Sequence, residues 1–216
     1  MAKLTQETIK LLDRLFNLKG ENNVIIEELA KKIKRYIPYY GNNGGVTFSG
    51  GEPILQADFI IQVAKILKKD NIHIAIDTAG VGLGNYAEIL KYIDLIILDI
   101  KHTNKDEYYN LTGVKIDKSL EFIDALNKSG KKVWIRQVMV PSIHDNNNYL
   151  KGLCEFLTKI KNIERIDFLP YHKLGDEKYE RLNINNPFKE KKAMDKDKCD
   201  KLYQKFMILY EEKCSF

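Results

Sequence analysis

The sequence predicts an α/β fold in which parallel strands and helices alternate to form a barrel or part of a barrel. Three observations predict this fold class. Five short runs rich in β-branched and aliphatic residues are each bounded by Gly, Pro, Asp or Lys. Segments with apolar residues three and four positions apart lie between these runs, and each such segment predicts a helix. The repeated order of strand and helix is typical of parallel sheets.

The predicted strands are short, as is usual for strands buried inside an α/β fold. They cover residues 45–48, 72–76, 95–98, 132–140 and 165–169. The helices predicted between them cover residues 58–69, 85–92, 119–128 and 149–161. Two helices are predicted ahead of the first strand and one near the end of the chain, at residues 6–18, 24–36 and 197–213. The charged, weakly periodic segment 173–196 is predicted to be a loop.

These elements divide the chain into three predicted segments. Residues 1–23 are expected to form an extra N-terminal helix of uncertain role. Residues 24–182 are expected to form the partial barrel. Residues 183–216 are expected to form a loop and a helix that pack on that barrel.

Composition argues against several classes of protein. The chain has 216 residues and a net charge of +5, and its lysines alternate with acidic residues, so nucleic-acid binding is not indicated. No apolar stretch reaches the length of a membrane span, and the first residues lack the order of a secretion signal. Cys154, Cys199 and Cys214 are odd in number and widely spaced, which argues against a disulfide framework. We therefore expect a cytoplasmic protein with neither a membrane nor a nucleic acid as partner.

Polar residues follow the predicted strands at their carboxyl ends. In an α/β barrel these ends meet at one rim, where the ligand site is found. The rim candidates, in the order of their strands, are Gly50, Gly51 and Glu52; Asp77 and Thr78; Asp99 and Lys101; Arg136 and the segment ending in His144; and His172. The acidic members suit an amino group, hydroxyls or a monovalent cation, and the basic members suit a carboxylate or a base. A zwitterionic ligand that carries a ribose fits this mixture.

Each candidate also has an ordinary structural explanation. A Gly-Gly pair after a strand is more often only a turn. Asp77 is a possible helix cap, Asp99 and Lys101 a possible ion pair on one strand face, and Arg136 a possible structural ion-pair partner. The coincidence of polar groups at five separate strand ends favours a shared site over these explanations.

Five segments carry a resemblance to a known family. They read GGVTFSGGEPILQ at residues 44–56, IDTAG at 76–80, LDIK at 98–101, VWIR at 133–136 with Val140-Pro141, and LPYH at 169–172. In order and spacing they resemble the motifs of the radical S-adenosylmethionine (SAM) enzymes that activate glycyl-radical enzymes. Within that group they are similar to the pyruvate formate-lyase activating type. The resemblance covers roughly residues 24–182 and is specific because the motifs occur together in register. It implies a partial (β/α) barrel of the radical SAM type.

The resemblance also implies a cofactor and partners. The family uses SAM together with a 4Fe–4S cluster. In these enzymes the reduced cluster cleaves SAM and so produces a deoxyadenosyl radical. That radical removes a hydrogen atom from a glycine of the partner enzyme. That partner is expected to be pyruvate formate-lyase or a relative, and the electron donor a flavodoxin or ferredoxin.

By the same resemblance each rim residue receives an expected role. The Gly50-Gly51-Glu52 segment holds the SAM amino group, and Lys101 assists at its carboxylate. Asp77, Thr78 and Asp99 surround a monovalent cation there. His172 touches the adenosine, and Arg136 is a further cofactor-binding residue.

The sequence departs from the family pattern in one respect. Family members carry a CxxxCxxC motif ahead of the Gly-Gly segment, and this chain has no cysteine before Cys154. We therefore expect the first barrel strand and the cluster loop to be missing, and the chain to be inactive by itself. An alternative is a cluster-free module that binds SAM or docks on the partner. A third possibility is an unrelated α/β barrel that uses Ser49-Gly50-Gly51 to bind phosphate.

Overall fold

The structure is a computed structural model that describes residues 21–42, 44–181, 183 and 185–214. The helix predicted at residues 6–18, and most of the extra N-terminal segment 1–23, lie outside the described residues. The described strands form one sheet in the order β1-β2-β3-β4-β5. This α/β architecture, consistent with part of a barrel, confirms the predicted fold class.

The five predicted strands are confirmed, and each boundary lies within two residues of its expected position. The strands are β1 (Gly45–Phe48), β2 (His73–Thr78), β3 (Leu95–Asp99), β4 (Lys132–Met139) and β5 (Ile163–Pro170). Polar residues interrupt the apolar runs at these boundaries, which explains why sequence patterns locate them well.

Nine α-helices lie within the described residues. They are α1 (Glu21–Lys34), α2 (Ile37–Tyr40), α3 (Ala57–Leu67), α4 (Tyr86–Leu90), α5 (Lys105–Thr112), α6 (Asp117–Ser129), α7 (Asn147–Leu157), α8 (Asp176–Arg181) and α9 (Lys196–Cys214). Two 3-10 turns, Pro53–Gln56 and Lys68–Asp70, flank α3. None of the described helices combines the length and the apolar character needed to cross a lipid bilayer.

Three of these helices differ from the prediction. Helices α2 and α5 were not predicted; α5 has few apolar residues and buries only Tyr108 and Thr112. The prediction of an unbroken loop over residues 173–196 was wrong, because α8 lies within it. Helix α2 has only four residues, and α5 and α8 are short and polar, so hydrophobic periodicity, on which the prediction depended, gives little signal for them.

The chain divides into two compact units, each described by itself. Unit 1 comprises the residues up to Ile97 together with Lys118–Lys132. Unit 2 comprises Leu98–Asp117 and the residues from Val133 onwards.

Unit 1 is built around the parallel pair of β1 and β2. Gly45 lies opposite His73 in this pair, and a Cβ atom added at Gly45 would lie 2.0 Å from the carbonyl oxygen of His73. Only glycine therefore permits this close approach of two backbones. The side chains of Leu67, Ile74 and Phe122 are fully buried and form part of the core.

Unit 2 is built around the parallel pair of β4 and β5. Arg136 lies opposite Asp167 in this pair, and the register shifts once between Val133 and Trp134. Helix α9 packs against β5 and α7, with the ring of the fully buried Phe206 5.0 Å from that of Phe168. The contact between these rings fixes the last helix on its own unit.

Candidate functional site

The loop after β1 exposes its main chain at two adjacent glycines. Gly50 has a φ angle of 89° and Gly51 one of 54°, a left-handed region that side chains with a Cβ rarely adopt. A Cβ at either position would meet no atom within 4 Å among the described residues. The glycines are therefore required by backbone conformation, and the space beside them is open to a ligand.

Glu52, the next residue, is held in place by donors from its own loop and from the end of β2. Its Oε1 atom accepts a hydrogen bond from the hydroxyl of Thr78 and a longer one, at 3.4 Å, from the main-chain N–H of Ile54. Its Oε2 atom accepts one from the N–H of Ala79 at 2.9 Å. The two loops are thus joined through a single carboxyl group.

Two opposing effects act on the pKa of Glu52. Burial is the largest effect and raises the pKa, because a charged carboxylate loses solvation, while the bonds from Thr78 and the backbone act in the opposite direction. The net result is a raised pKa. A carboxylate of this kind gains from a cationic ligand, which would restore the stabilisation that burial removes.

Thr78 and Asp77 lie at the end of β2. Thr78 is buried, and its hydroxyl oxygen also accepts a hydrogen bond from the N–H of Gly80 at 2.9 Å. Asp77 is half-buried and lies within β2 itself, so it does not begin a helix. The bond between Thr78 and Glu52 was not predicted, because residues so far apart give no sequence signal of contact.

In unit 2, Asp99 and Lys101 form an ion pair at the end of β3. The Lys101 ammonium lies 2.6 Å from Oδ2 of Asp99, with 37% of the lysine side chain exposed and 17% of the aspartate. The N–H of Ile100, between them, donates to the carbonyl of Arg136 at 2.9 Å. The local ion pair considered from the sequence is therefore present. An ammonium has three donors, so Lys101 retains the capacity to bind a ligand carboxylate.

Three other rim candidates take different positions in unit 2. Arg136 is the fifth of eight residues in β4, inside the strand predicted over residues 132–140. His172 is exposed and follows β5, as expected. His144 was predicted on the rim, but only 3% of it is exposed, because it packs against the rings of His102 and Tyr149.

Cys154 and Cys199, the cysteines whose side chains the structure describes, do not form an iron site. Cys154 on α7 and Cys199 on α9 are buried thiols outside any disulfide there. Within residues 21–42, 44–181, 183 and 185–214, no three His, Cys, Asp or Glu side chains are grouped so as to hold a metal ion. A 4Fe–4S cluster requires several thiolates close together, so the described residues do not fit one.

Comparisons with known proteins identify the family. The sequence matches the radical SAM superfamily over residues 12–157. It is 45% identical to the pyruvate formate-lyase-activating enzyme of Clostridium pasteurianum over 197 residues, which are 91% of this chain and 83% of that protein. It is 36% identical to the enzyme of the same name from Staphylococcus aureus over 190 residues, 84% of this chain and 75% of that one.

Solved structures agree on the fold. A domain of pyruvate-formate lyase-activating enzyme from Bacteroides vulgatus superposes with a TM-score of 0.62 at 21% identity, over 79% of this chain and 94% of that one. A radical SAM methyltransferase from Sphaerobacter thermophilus gives 0.61 at 14% identity, over 85% of this chain and 54% of that one. The possibility of an unrelated phosphate-binding barrel is therefore wrong. The chain belongs to the radical SAM superfamily and, within it, to the family of the pyruvate formate-lyase-activating enzymes.

Proposed function

We propose that this chain binds SAM and acts in the generation of a glycyl radical on a partner enzyme of the pyruvate formate-lyase type. One observation carries the proposal: the carboxyl group of Glu52 is fixed by Thr78 and Ala79 directly after the open main chain of Gly50 and Gly51. A fixed anion beside an accessible backbone suits the ammonium group of an amino acid ligand.

The amino end of SAM is assigned to the loop after β1. Glu52 accepts hydrogen bonds from the ammonium group, because each of its oxygens can accept more than one bond. Gly50 and Gly51 allow the ligand to approach the main chain without a clash with a Cβ atom. The positive charge of the ligand also offsets the cost of burying the Glu52 carboxylate.

The other predicted residues keep the roles that the family resemblance implies for each of them. Lys101 binds the SAM carboxylate, Arg136 is a further cofactor-binding residue, and His172 contacts the adenosine. A monovalent cation near the carboxylate is assigned to Asp77, Thr78 and Asp99. The ion pair of Lys101 with Asp99 supports the assignment of Lys101, since it fixes the ammonium group at the end of β3.

The chemistry of the family also needs an electron source. A 4Fe–4S cluster supplies that electron in radical SAM enzymes, and the residues described here do not fit such a cluster. We therefore assign no electron-transfer step to these residues. The proposal includes a small electron-carrier protein, of the flavodoxin or ferredoxin class, for the complete reaction.

A second proposal is a cluster-free module that binds SAM or docks on the partner enzyme. It is favoured by the observation that the described residues, Cys154 and Cys199 among them, do not fit an iron–sulfur cluster. The two proposals share the SAM pocket and differ only in whether iron is required. We also propose a cytoplasmic location, which the buried thiols of Cys154 and Cys199 support, because reduced cysteines are typical of the cytosol.

Calorimetric titration of the 216-residue protein with SAM, without added iron, tests the pocket. We expect saturable binding, and we expect Glu52→Gln to weaken it by about tenfold, because the charge that pairs with the ammonium group is lost. Glu88→Gln is the matched control, since Glu88 lies on α4 of the same unit and pairs with Lys91, three residues further along the chain. Equal affinities of the wild type and of Glu52→Gln would refute the assignment of Glu52.

A further inference from the structure

Three aromatic side chains of unit 2 form a buried polar cluster next to the Asp99–Lys101 ion pair. Their ring centroids lie 5.6 Å apart for His102 and His144, 5.0 Å for His102 and Tyr149, and 4.6 Å for His144 and Tyr149. Each side chain is at most 8% exposed. Such polar groups are costly to bury, so a specific set of bonds is expected to hold them.

Hydrogen bonds fix both imidazole rings of this His–Tyr cluster. The Nδ1 atom of His102 accepts from the N–H of Asn104 at 3.0 Å, and that of His144 accepts from the N–H of Val140 at 3.1 Å. An imidazole that accepts at Nδ1 carries its proton on Nε2 in the neutral form. Burial lowers the pKa of both histidines, that of His144 to about 4, so both are neutral at pH 7.

Tyr149 connects the cluster to β4. Its hydroxyl donates to the side-chain oxygen of Gln137 at 2.6 Å, and Gln137 is fully buried. Gln137 follows Arg136, whose carbonyl accepts from the N–H of Ile100, the residue between Asp99 and Lys101. The cluster and the ion pair are thus attached to adjacent residues of one strand.

Asp99 and the main chain of Lys101 also affect the pKa values of two members of the cluster. Burial raises the pKa of the Tyr149 phenol, and the negative charge of Asp99 raises it further. The carbonyl of Lys101 raises the pKa of His144, whereas burial lowers it. The Nε2 atom of His144 is buried and makes no hydrogen bond within the described part of the chain. The ring of His144 packs near that of His102, the residue that follows Lys101 in the chain.

We propose that the His–Tyr cluster is a positioning device that sets the main chain of residues 99–101 and so holds the Lys101 ammonium for the carboxylate of SAM. This inference rests on the proposed function and deepens it. A neutral cluster suits this role, because a second positive charge beside Lys101 would repel its ammonium group. His102, His144 and Tyr149 touch no ligand in this proposal and act only through the segment they support.

The test compares SAM with 5′-deoxyadenosine, which lacks the amino acid part of SAM. Titrations of the 216-residue protein are expected to show that Tyr149→Phe weakens SAM binding by about threefold to tenfold, the effect of one buried hydrogen bond. The affinity for 5′-deoxyadenosine is expected to stay unchanged, because Lys101 faces only the carboxylate. Tyr203→Phe is the matched control, since Tyr203 packs its ring on Phe168 within the same unit.

A second variant separates positioning from loss of structure. In His144→Asn the side-chain oxygen is expected to take the place of Nδ1 and still accept from Val140, while the rest of the ring, which packs against His102 and Tyr149, is removed. We expect the same selective loss of SAM affinity with an intact circular dichroism spectrum. Unchanged SAM affinity in both variants, or an equal loss for both ligands, would overturn the inference. Absence of SAM binding by the wild type would instead overturn the proposed function.

Discussion

Glu52 and Thr78 form a contact on which the loop after β1 depends. Thr78 donates to the Glu52 carboxylate and accepts from Gly80 with the same hydroxyl. Removal of this one group therefore leaves two buried partners with fewer bonds. The cost of a buried polar group left unsatisfied is larger than the gain from an average hydrogen bond.

Thr78→Val is expected to lower the free energy of unfolding by about 1–3 kcal/mol, because the shape is kept while the hydroxyl is lost. Urea denaturation measures the change. Thr47→Val is the control, since Thr47 is an exposed β1 residue, and we expect a change within about 0.5 kcal/mol there. Equal effects at the two positions would show that the Thr78 hydroxyl does not support Glu52.

His144 makes stability depend on pH in a defined window. Its folded-state pKa is about 4, against 6.5 for an ordinary histidine, because burial and the neighbouring His102 disfavour the charged form. Above pH 6.5 neither the folded nor the unfolded state binds the proton, and the stability contribution is complete. As pH falls from 6.5 towards 4, the unfolded state binds more protons, and stability is lost.

The free energy of unfolding that is lost because of His144 alone is expected to reach about 3 kcal/mol below pH 4, since each pKa unit corresponds to about 1.4 kcal/mol. Urea denaturation of the wild type and of His144→Asn measures it at roughly pH 7.5, above the window, and at roughly pH 5, inside it. The variant lacks the titrating group and should lose less stability between these conditions. A parallel decline in both proteins would contradict this assignment of the pH dependence.

At the scale of elements, helix α5 has a capping residue at each of its two ends. Asn104 precedes it, and the Asn104 side chain accepts from the N–H groups of Asp106 and Glu107 at 2.9 and 3.1 Å. Gly113 follows it in the left-handed conformation that ends many helices. These two residues give a start and stop signal that periodicity alone does not detect.

Asn104→Ala is expected to cost about 1 kcal/mol of unfolding free energy, because two N–H groups of the first turn lose their acceptor. Asn110→Ala, on the exposed surface of the same helix, is the control and should change stability by less than about 0.5 kcal/mol. Both are measured by urea denaturation. If the two substitutions cost the same, the cap is not what stabilises α5.

The strands were predicted more accurately than the helices for a physical reason. Buried parallel strands are nearly continuous apolar runs, and this chain flanks them with Gly, Asp, Lys and Pro. Arg136 is a charged residue inside β4, and the predicted strand 132–140 includes it because the apolar run continues beyond it with Val138, Met139 and Val140.

At the scale of the whole molecule, the cysteines are few and lie far along the sequence from the Gly50-Gly51-Glu52 segment. The 216 residues contain three cysteines, and none precedes Cys154. Cys154 and Cys199 are both buried, and burial raises the pKa of the Cys199 thiol. A raised pKa disfavours the thiolate form that binds iron.

Anaerobic reconstitution of the 216-residue protein with iron and sulfide is therefore expected to give no stable 4Fe–4S chromophore. Absorbance together with iron content after gel filtration measures the result. SAM titration of the same sample is the control that the protein is folded. A stoichiometric cluster that survives gel filtration would contradict this prediction and would require a new assignment of the cysteines.

The sequence by itself determined the order of strands and helices, the family, and the Gly50-Gly51-Glu52 segment, because each depends on residues that are neighbours in the chain. Tertiary structure alone decided that Glu52 bonds to Thr78 and that His144 is buried beside His102 and Tyr149. The sequence around His102 and His144 is compatible either with exposed positions on the rim or with a buried cluster. Burial and hydrogen bonding between distant residues depend on how the elements pack, and no local pattern encodes that packing.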